Sequence, residues 1–130
     1  MKRVVVFFTL VAAMLAGARA ASAGETLRVG SKRFVESYIL AEIVTQLARG
    51  DGAAAEHDPG MGGTAVLFRA VADGSIDVYP EYTGTIAETI VNGDAHDLGA
   101  LRAAIAPRGL AISDSIGFED PYALAVSRAA

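Results

Sequence analysis

The stretch Ile76-Asp77-Val78-Tyr79-Pro80-Glu81-Tyr82-Thr83-Gly84-Thr85 decides how the rest of the chain is read. Ile76 and Val78 give the β-branched alternation of a strand, with Tyr79 read as packing beside them. Pro80 has no backbone N–H and cannot continue a central ladder, so regular pairing is expected to stop there. A polar, aromatic loop follows, and Gly84-Thr85-Ile86-Ala87-Glu88 reads as a helix start with a small residue near its cap. In open α/β sheets small ligands bind beyond the carboxyl ends of the strands. A tyrosine there, such as Tyr82, either packs an edge or offers its ring face to a ligand.

Working outward, Thr26-Leu27-Arg28-Val29-Gly30 alternates and ends in glycine as a first strand would, followed by the polar loop Ser31-Lys32-Arg33-Phe34. From Ser37 to Gly50, Ile39, Leu40, Ile43, Val44 and Leu47 recur at helical spacing. Ala53 to His57 is a weaker strand, expected to halt at Asp58-Pro59-Gly60. Thr64 to Ala72 reads as a second helix closed by Asp73-Gly74. Further helices are expected from about Thr85 to Val91, stopped by Asn92-Gly93, and from Leu98 to Ala106, cut by Pro107. A short element at Leu110 to Ile112 and a closing strand at Tyr122 to Val126 complete the series. Strands and helices alternate, which predicts an α/β fold with a mostly parallel sheet and helices on both faces. The chain ends at Ser127-Arg128-Ala129-Ala130, directly after the last predicted strand, as half of a larger molecule would.

The chain has 130 residues, enough for one domain at most. Its first 23 residues are expected to be removed. Met1-Lys2-Arg3 is a basic start, Val4 to Leu15 is almost unbroken apolar sequence, and Ala18-Arg19-Ala20 or Ala21-Ser22-Ala23 offers a cleavage motif. That is the anatomy of a secretory signal peptide, and the run is shorter than the ~20 apolar residues that span a bilayer. A soluble periplasmic protein, residues 24–130, is the expectation. There is no cysteine, which excludes a disulfide framework and a lipid-modified N-terminal cysteine. Without Lys2, Arg3 and Arg19, eight basic residues face fifteen acidic ones, a net charge of −7. Such a balance argues against nucleic acid or an anionic lipid surface as partner.

Four segments, in order, resemble the substrate-binding proteins of ABC importers for osmoprotectants, the glycine betaine, carnitine, choline and proline betaine group. They are Val29-Gly30-Ser31-Lys32-Arg33-Phe34 with Tyr38-Ile39-Leu40-Ala41-Glu42; Gly62-Gly63-Thr64-Ala65-Val66-Leu67-Phe68; the Ile76–Thr85 stretch; and Gly117-Phe118 through Tyr122-Ala123-Leu124-Ala125-Val126. The resemblance implies one lobe, the first, of a type II periplasmic-binding fold whose two lobes close on a ligand. It implies no enzymatic activity, a quaternary-ammonium ligand, docking on a membrane permease, and a second lobe that is absent here and could be encoded separately.

A quaternary ammonium cannot donate hydrogen bonds and is best held by aromatic faces, each worth about 0.5–2 kcal/mol. By resemblance, Tyr82 and Tyr122 are the cage members of this lobe. Lys32, shortly before a helix N-terminus, and Thr85 are the implied contacts for a ligand carboxylate, with Ser31 a neighbour. The Thr64 hydroxyl, after a glycine-rich turn, would line the cleft. Here Glu119-Asp120-Pro121 replaces the polar, asparagine-rich tract that usually precedes the tyrosine matched by Tyr122, which bears on the orientation of that ring.

Other chemistries fit less well. Gly60-Met61-Gly62-Gly63-Thr64-Ala65 satisfies a loose dinucleotide pattern, with Asp77 or Glu81 downstream for a ribose. Pro59 abuts it and the preceding strand is feeble, so no cofactor is expected. His57 and His96 lack metal-ligand spacing, and no Ser-His-Asp arrangement suggests itself. The rival reading is a truncated lobe or interaction module that binds no solute, because half a pocket buries too little of a small ligand.

Overall fold

The computed structural model describes residues 25–93, 95, 97–117, 119, 125 and 127. The expected signal peptide, all of the closing strand but Ala125, His96 and Tyr122 lie outside these residues. Strand β1 (Leu27–Lys32) pairs in parallel with β2 (Ala55–Gly62). On its other side β1 receives the Ile76–Tyr79 segment, through one parallel bridge between Val29 and Val78. Gly30 N–H donates to the Val78 carbonyl at 2.9 Å and Asp77 N–H to that of Arg28 at 2.9 Å. The predicted third strand is therefore a brief parallel contact, and the spatial order is β2, β1, then 76–79.

Residue alternation along β1 sends its side chains to two faces, and each face carries a helix. The Ser31 hydroxyl points towards α1 (Val35–Gly50) through its contact with His57, whose other nitrogen reaches Glu42. Gly30 faces α2 (Thr64–Ala72); a Cβ there would sit 2.9 Å from Leu67 Cδ1. Leu67, Ala70 and Ile76 form the core on that face, with Met61, Val71 and Tyr79 packed against it. Tyr79 packs against this core, as expected.

Two elements differ from expectation. Strand β2 does not halt at Asp58-Pro59-Gly60 but runs to Gly62, with a register shift between Gly30–Asp58 and Lys32–Gly62. Among the described residues β2 pairs with β1 alone, and a bulged edge strand tolerates a proline whose missing N–H is not asked for. Gly60 supplies the positive φ of 64°. In α1 the buried positions are Ser37, Ala41 and Thr45, whereas Ile39, Ile43 and Leu47 are 55%, 49% and 65% exposed. Small side chains let this helix approach the sheet closely, while Ile39, Ile43 and Leu47 turn outwards and Leu40 and Val44 are half-buried. Thr45 hydroxyl donates to the Ala41 carbonyl at 2.8 Å and so stays satisfied inside.

After Tyr82 the chain makes one α turn, Thr83–Thr85, that widens into a π turn, Ile86–Ile90; together these are α3. Val91 N–H reaches back five residues to the Ile86 carbonyl at 3.0 Å. Asn92 and Gly93, at φ 61° and 79°, end it where the sequence predicted. Helix α4 (Leu98–Ile105) is capped by Asp97, whose Oδ1 accepts from Ala100 N–H at 2.8 Å, and passes into a 3-10 turn at Ala106–Arg108. Ile86, Ile90, Val91, Leu101 and Ile105 form a second core cluster, with Phe68 of α2 packed against it. Arg108 stacks over Phe68 at 5.4 Å, a cation–π contact that ties the end of α4 to α2. Leu110–Ile112 has no regular structure, although both residues pack on that cluster.

Candidate functional site

Parallel pairing brings the carboxyl ends of three segments to one edge: Lys32 at the end of β1, Gly62-Gly63-Thr64 at the end of β2, and Glu81-Tyr82 beyond the 76–79 segment. With β2, β1 and the 76–79 segment side by side and helices on both faces, that edge is where ligand crevices open in such sheets. Arg33 N–H donates to the Gly62 carbonyl at 3.3 Å and Lys32 N–H to Ser37 Oγ at 2.9 Å, which fix the turn out of β1.

The centre of this edge is an ion pair. Lys32 Nζ donates to Glu81 Oε1, and both side chains are only 5% exposed. The same Glu81 oxygen accepts from Tyr82 N–H at 2.9 Å, so one carboxylate holds both the lysine and the backbone of the candidate cage tyrosine. Glu81 Oε2 is buried and has no hydrogen-bond partner among the described residues. Burial pushes the Tyr79 phenol well above its ordinary value of 10.0, and the negative charge of Glu81 adds to the effect. Two buried charges of opposite sign cost several kcal/mol each to desolvate and are tolerable here because they face each other.

Of the expected site residues, Lys32 and Tyr82 are joined through Glu81. Thr85 follows at the start of α3, half-buried, and Thr64 is the first residue of α2, also half-buried. Ser31 has no solvent exposure and faces the other side of β1. Its Oγ accepts from Gly60 N–H at 3.2 Å and lies 2.9 Å from His57 Nε2. Among the described residues, open surface hollows lie elsewhere, one lined by Tyr38, Glu42, His57 and Pro59, another by Met61, Val66, Arg69 and Ser75.

Two features escaped the sequence. Glu81 stands beside Tyr82 in the decisive stretch, but its partner is 49 residues away and only strand pairing aligns them. The second is a serine–imidazole–carboxylate chain: Ser31, His57 and Glu42, with His57 Nδ1 3.2 Å from Glu42 Oε2. Hydrogen bonds from Gln46, then His57, hold the Glu42 carboxyl below its ordinary 4.5. The order matches that of hydrolytic triads, yet a nucleophile must meet its substrate and Ser31 is sealed. The chain of contacts ties β1, β2 and α1 together instead, with the Tyr38 ring edge-on to His57 at 6.4 Å. No cluster of three or more metal-ligating side chains occurs among the described residues.

A parallel α/β lobe that gathers a lysine, a glutamate and a tyrosine at the carboxyl edge of its sheet has the architecture of a periplasmic-binding-protein lobe. The chain belongs to the family of substrate-binding domains of ABC-type glycine betaine transport systems, whose model matches residues 25–130. It is 36% identical over 62 residues to the glycine betaine-binding protein YehZ of Escherichia coli strain K12, a match covering 48% of this chain and 20% of that protein. The solved structure of apo YehZ from the same species superposes with a TM-score of 0.52 at 26% identity, covering 65% of this chain and 30% of that one. The chain thus spans less than a third of these longer relatives. The family is a transport family and not an enzyme class, and the α/β periplasmic-binding fold expected from the sequence is the fold observed.

Proposed function

We propose that this chain is the first lobe of an exported solute-binding component of an ABC importer, taking a quaternary-ammonium osmoprotectant such as glycine betaine. In this reading residues 1–23 are a cleaved signal peptide and the protein works in the periplasm. No helix among the described residues is long and apolar enough to cross a membrane. Tyr82 and Tyr122 supply ring faces to the methylated cation. Lys32, Thr85 and Thr64 meet the carboxylate side, and Ser31, sequence neighbour of the lysine, ties β1 to β2 through Gly60 and His57. A second lobe, on the same or a separate polypeptide, closes over the ligand, and the closed form delivers it to a membrane permease.

The observation that carries this reading is the convergence of Lys32 and Tyr82 on one carboxylate at the sheet edge where α/β lobes hold ligands. A carboxylate-bearing betaine is expected to bind more tightly than choline. Calorimetric titration of glycine betaine and choline, into the chain alone and mixed with any second lobe from a neighbouring reading frame, tests it. Tyr82→Ala and Tyr122→Ala should each weaken binding about tenfold or more, the scale of a lost cation–π face. Unchanged affinity in both variants would overturn the assignment.

A second reading is favoured by the open, shallow hollows of the described lobe: a lobe that binds no solute unaided. In that case heat appears only when the second lobe is present.

A further inference from the structure

Building on the solute-binding reading, we propose that Glu81 is a specificity-determining residue: an internal carboxylate that occupies the Lys32 ammonium until a zwitterionic ligand exchanges partners with it. The Lys32–Glu81 pair is neutral as a unit and almost wholly out of water. A buried charge stripped of its partner is strongly unfavourable, so no ligand can take one member and leave the other bare. A simple carboxylate landing on Lys32 would strand Glu81. A simple cation drawn to Glu81 would strand Lys32. A molecule with both a carboxylate and a quaternary ammonium serves both residues at once, converting one internal ion pair into two pairs with the ligand.

The free oxygen of the glutamate fits the second half of that exchange. Glu81 Oε2 is buried without a hydrogen-bond partner among the described residues, while Oε1 is already engaged by Lys32 and by Tyr82 N–H. A methylated ammonium has no N–H to donate, so it asks for negative potential and not for a hydrogen-bond acceptor in a fixed direction. Glu81 accepts from the Tyr82 N–H at 2.9 Å, which sets that potential at the backbone of the residue whose ring is proposed to hold the cation. Selection is thereby written into the lobe by charge pairing, in addition to the fit of the rings.

The test begins without ligand. Lys32 and Lys2 are the only lysines in the chain, so acetylation by an N-hydroxysuccinimide ester followed by peptide mass mapping reads Lys32 alone. Lys32 should react slowly in the wild type and at least tenfold faster in Glu81→Gln, in protein that circular dichroism shows to be folded. Calorimetry with glycine betaine, choline and acetate then follows. Wild-type protein should prefer glycine betaine over both others by tenfold or more. Glu81→Gln should lose most of the preference over acetate. The Lys32→Met/Glu81→Gln double variant, which leaves no bare charge and keeps the test open if the single variant unfolds, should lose the preference over choline. Unchanged Lys32 reactivity in folded Glu81→Gln, or affinities for the three ligands that move by a common factor, would overturn the proposal. A wild type that binds none of the three, alone or mixed with a second lobe, sinks the solute-binding reading and the exchange with it; one that binds glycine betaine with ratios untouched by either variant sinks the exchange alone.

Discussion

Gly30 leaves no room for a side chain. A Cβ there would lie 2.6 Å from Ile76 Cδ1, 2.9 Å from Leu67 Cδ1 and 3.0 Å from Met61 Sδ. Gly30→Ala must push three side chains of the α2 face aside, and overpacking of this kind costs about 1–3 kcal/mol. Urea denaturation should show the loss as a lower midpoint at unchanged slope. Lys32 and Glu81 set a larger scale. Removing one member leaves a buried unpaired charge, which typically costs about 3–5 kcal/mol, while replacing both with neutral residues should recover most of it. Thermal melts of Lys32→Met and of the double variant measure the difference.

Among the elements, α4 rests on a cap. Asp97→Ala removes the acceptor for Ala100 N–H and should cost about 1 kcal/mol, seen as a small fall in melting temperature with the fold retained. The sequence announced this helix within a residue or so, and α2 equally well, because period and stop signals agree there. Strand β2 was misjudged because a proline reads as an interruption unless one knows that the strand pairs on one side and carries a bulge. The packing face of α1 was not legible for a different reason. Periodicity reports that apolar residues share a stripe, but the neighbour available decides which stripe is buried, and here Ser37, Ala41 and Thr45 meet the sheet. The third strand was legible in its alternation, and its brevity was not, because bridge length depends on the partner.

For the whole molecule, acid should weaken the fold through identifiable carboxylates. Gln46 and His57 hold Glu42 below 4.5, and hydrogen bonds from Ser75 hold Asp73 below 3.8. A carboxyl depressed in the folded state adds stability above its unfolded value and loses it as pH falls through the folded one. Urea midpoints should therefore fall from about pH 4.5 downwards, with a shallower decline in Glu42→Gln/Asp73→Asn; equal slopes would contradict the assignment. Tyr82 and Lys32 were named as candidates by resemblance and residue type, and the structure joins them through Glu81. The Glu81 partnership and the Ser31–His57–Glu42 tie were not legible, because both join residues distant in the chain that only the order β2, β1, 76–79 brings together.

The tie has a practical consequence. By atom order alone it would pass for an esterase, but an electrophile needs a line of approach, and the Gly60 amide and the imidazole already fill it. A fluorophosphonate probe should leave Ser31 unmarked in the native chain. A phosphonylated Ser31 peptide in the digest would mean that this hydroxyl is periodically uncovered.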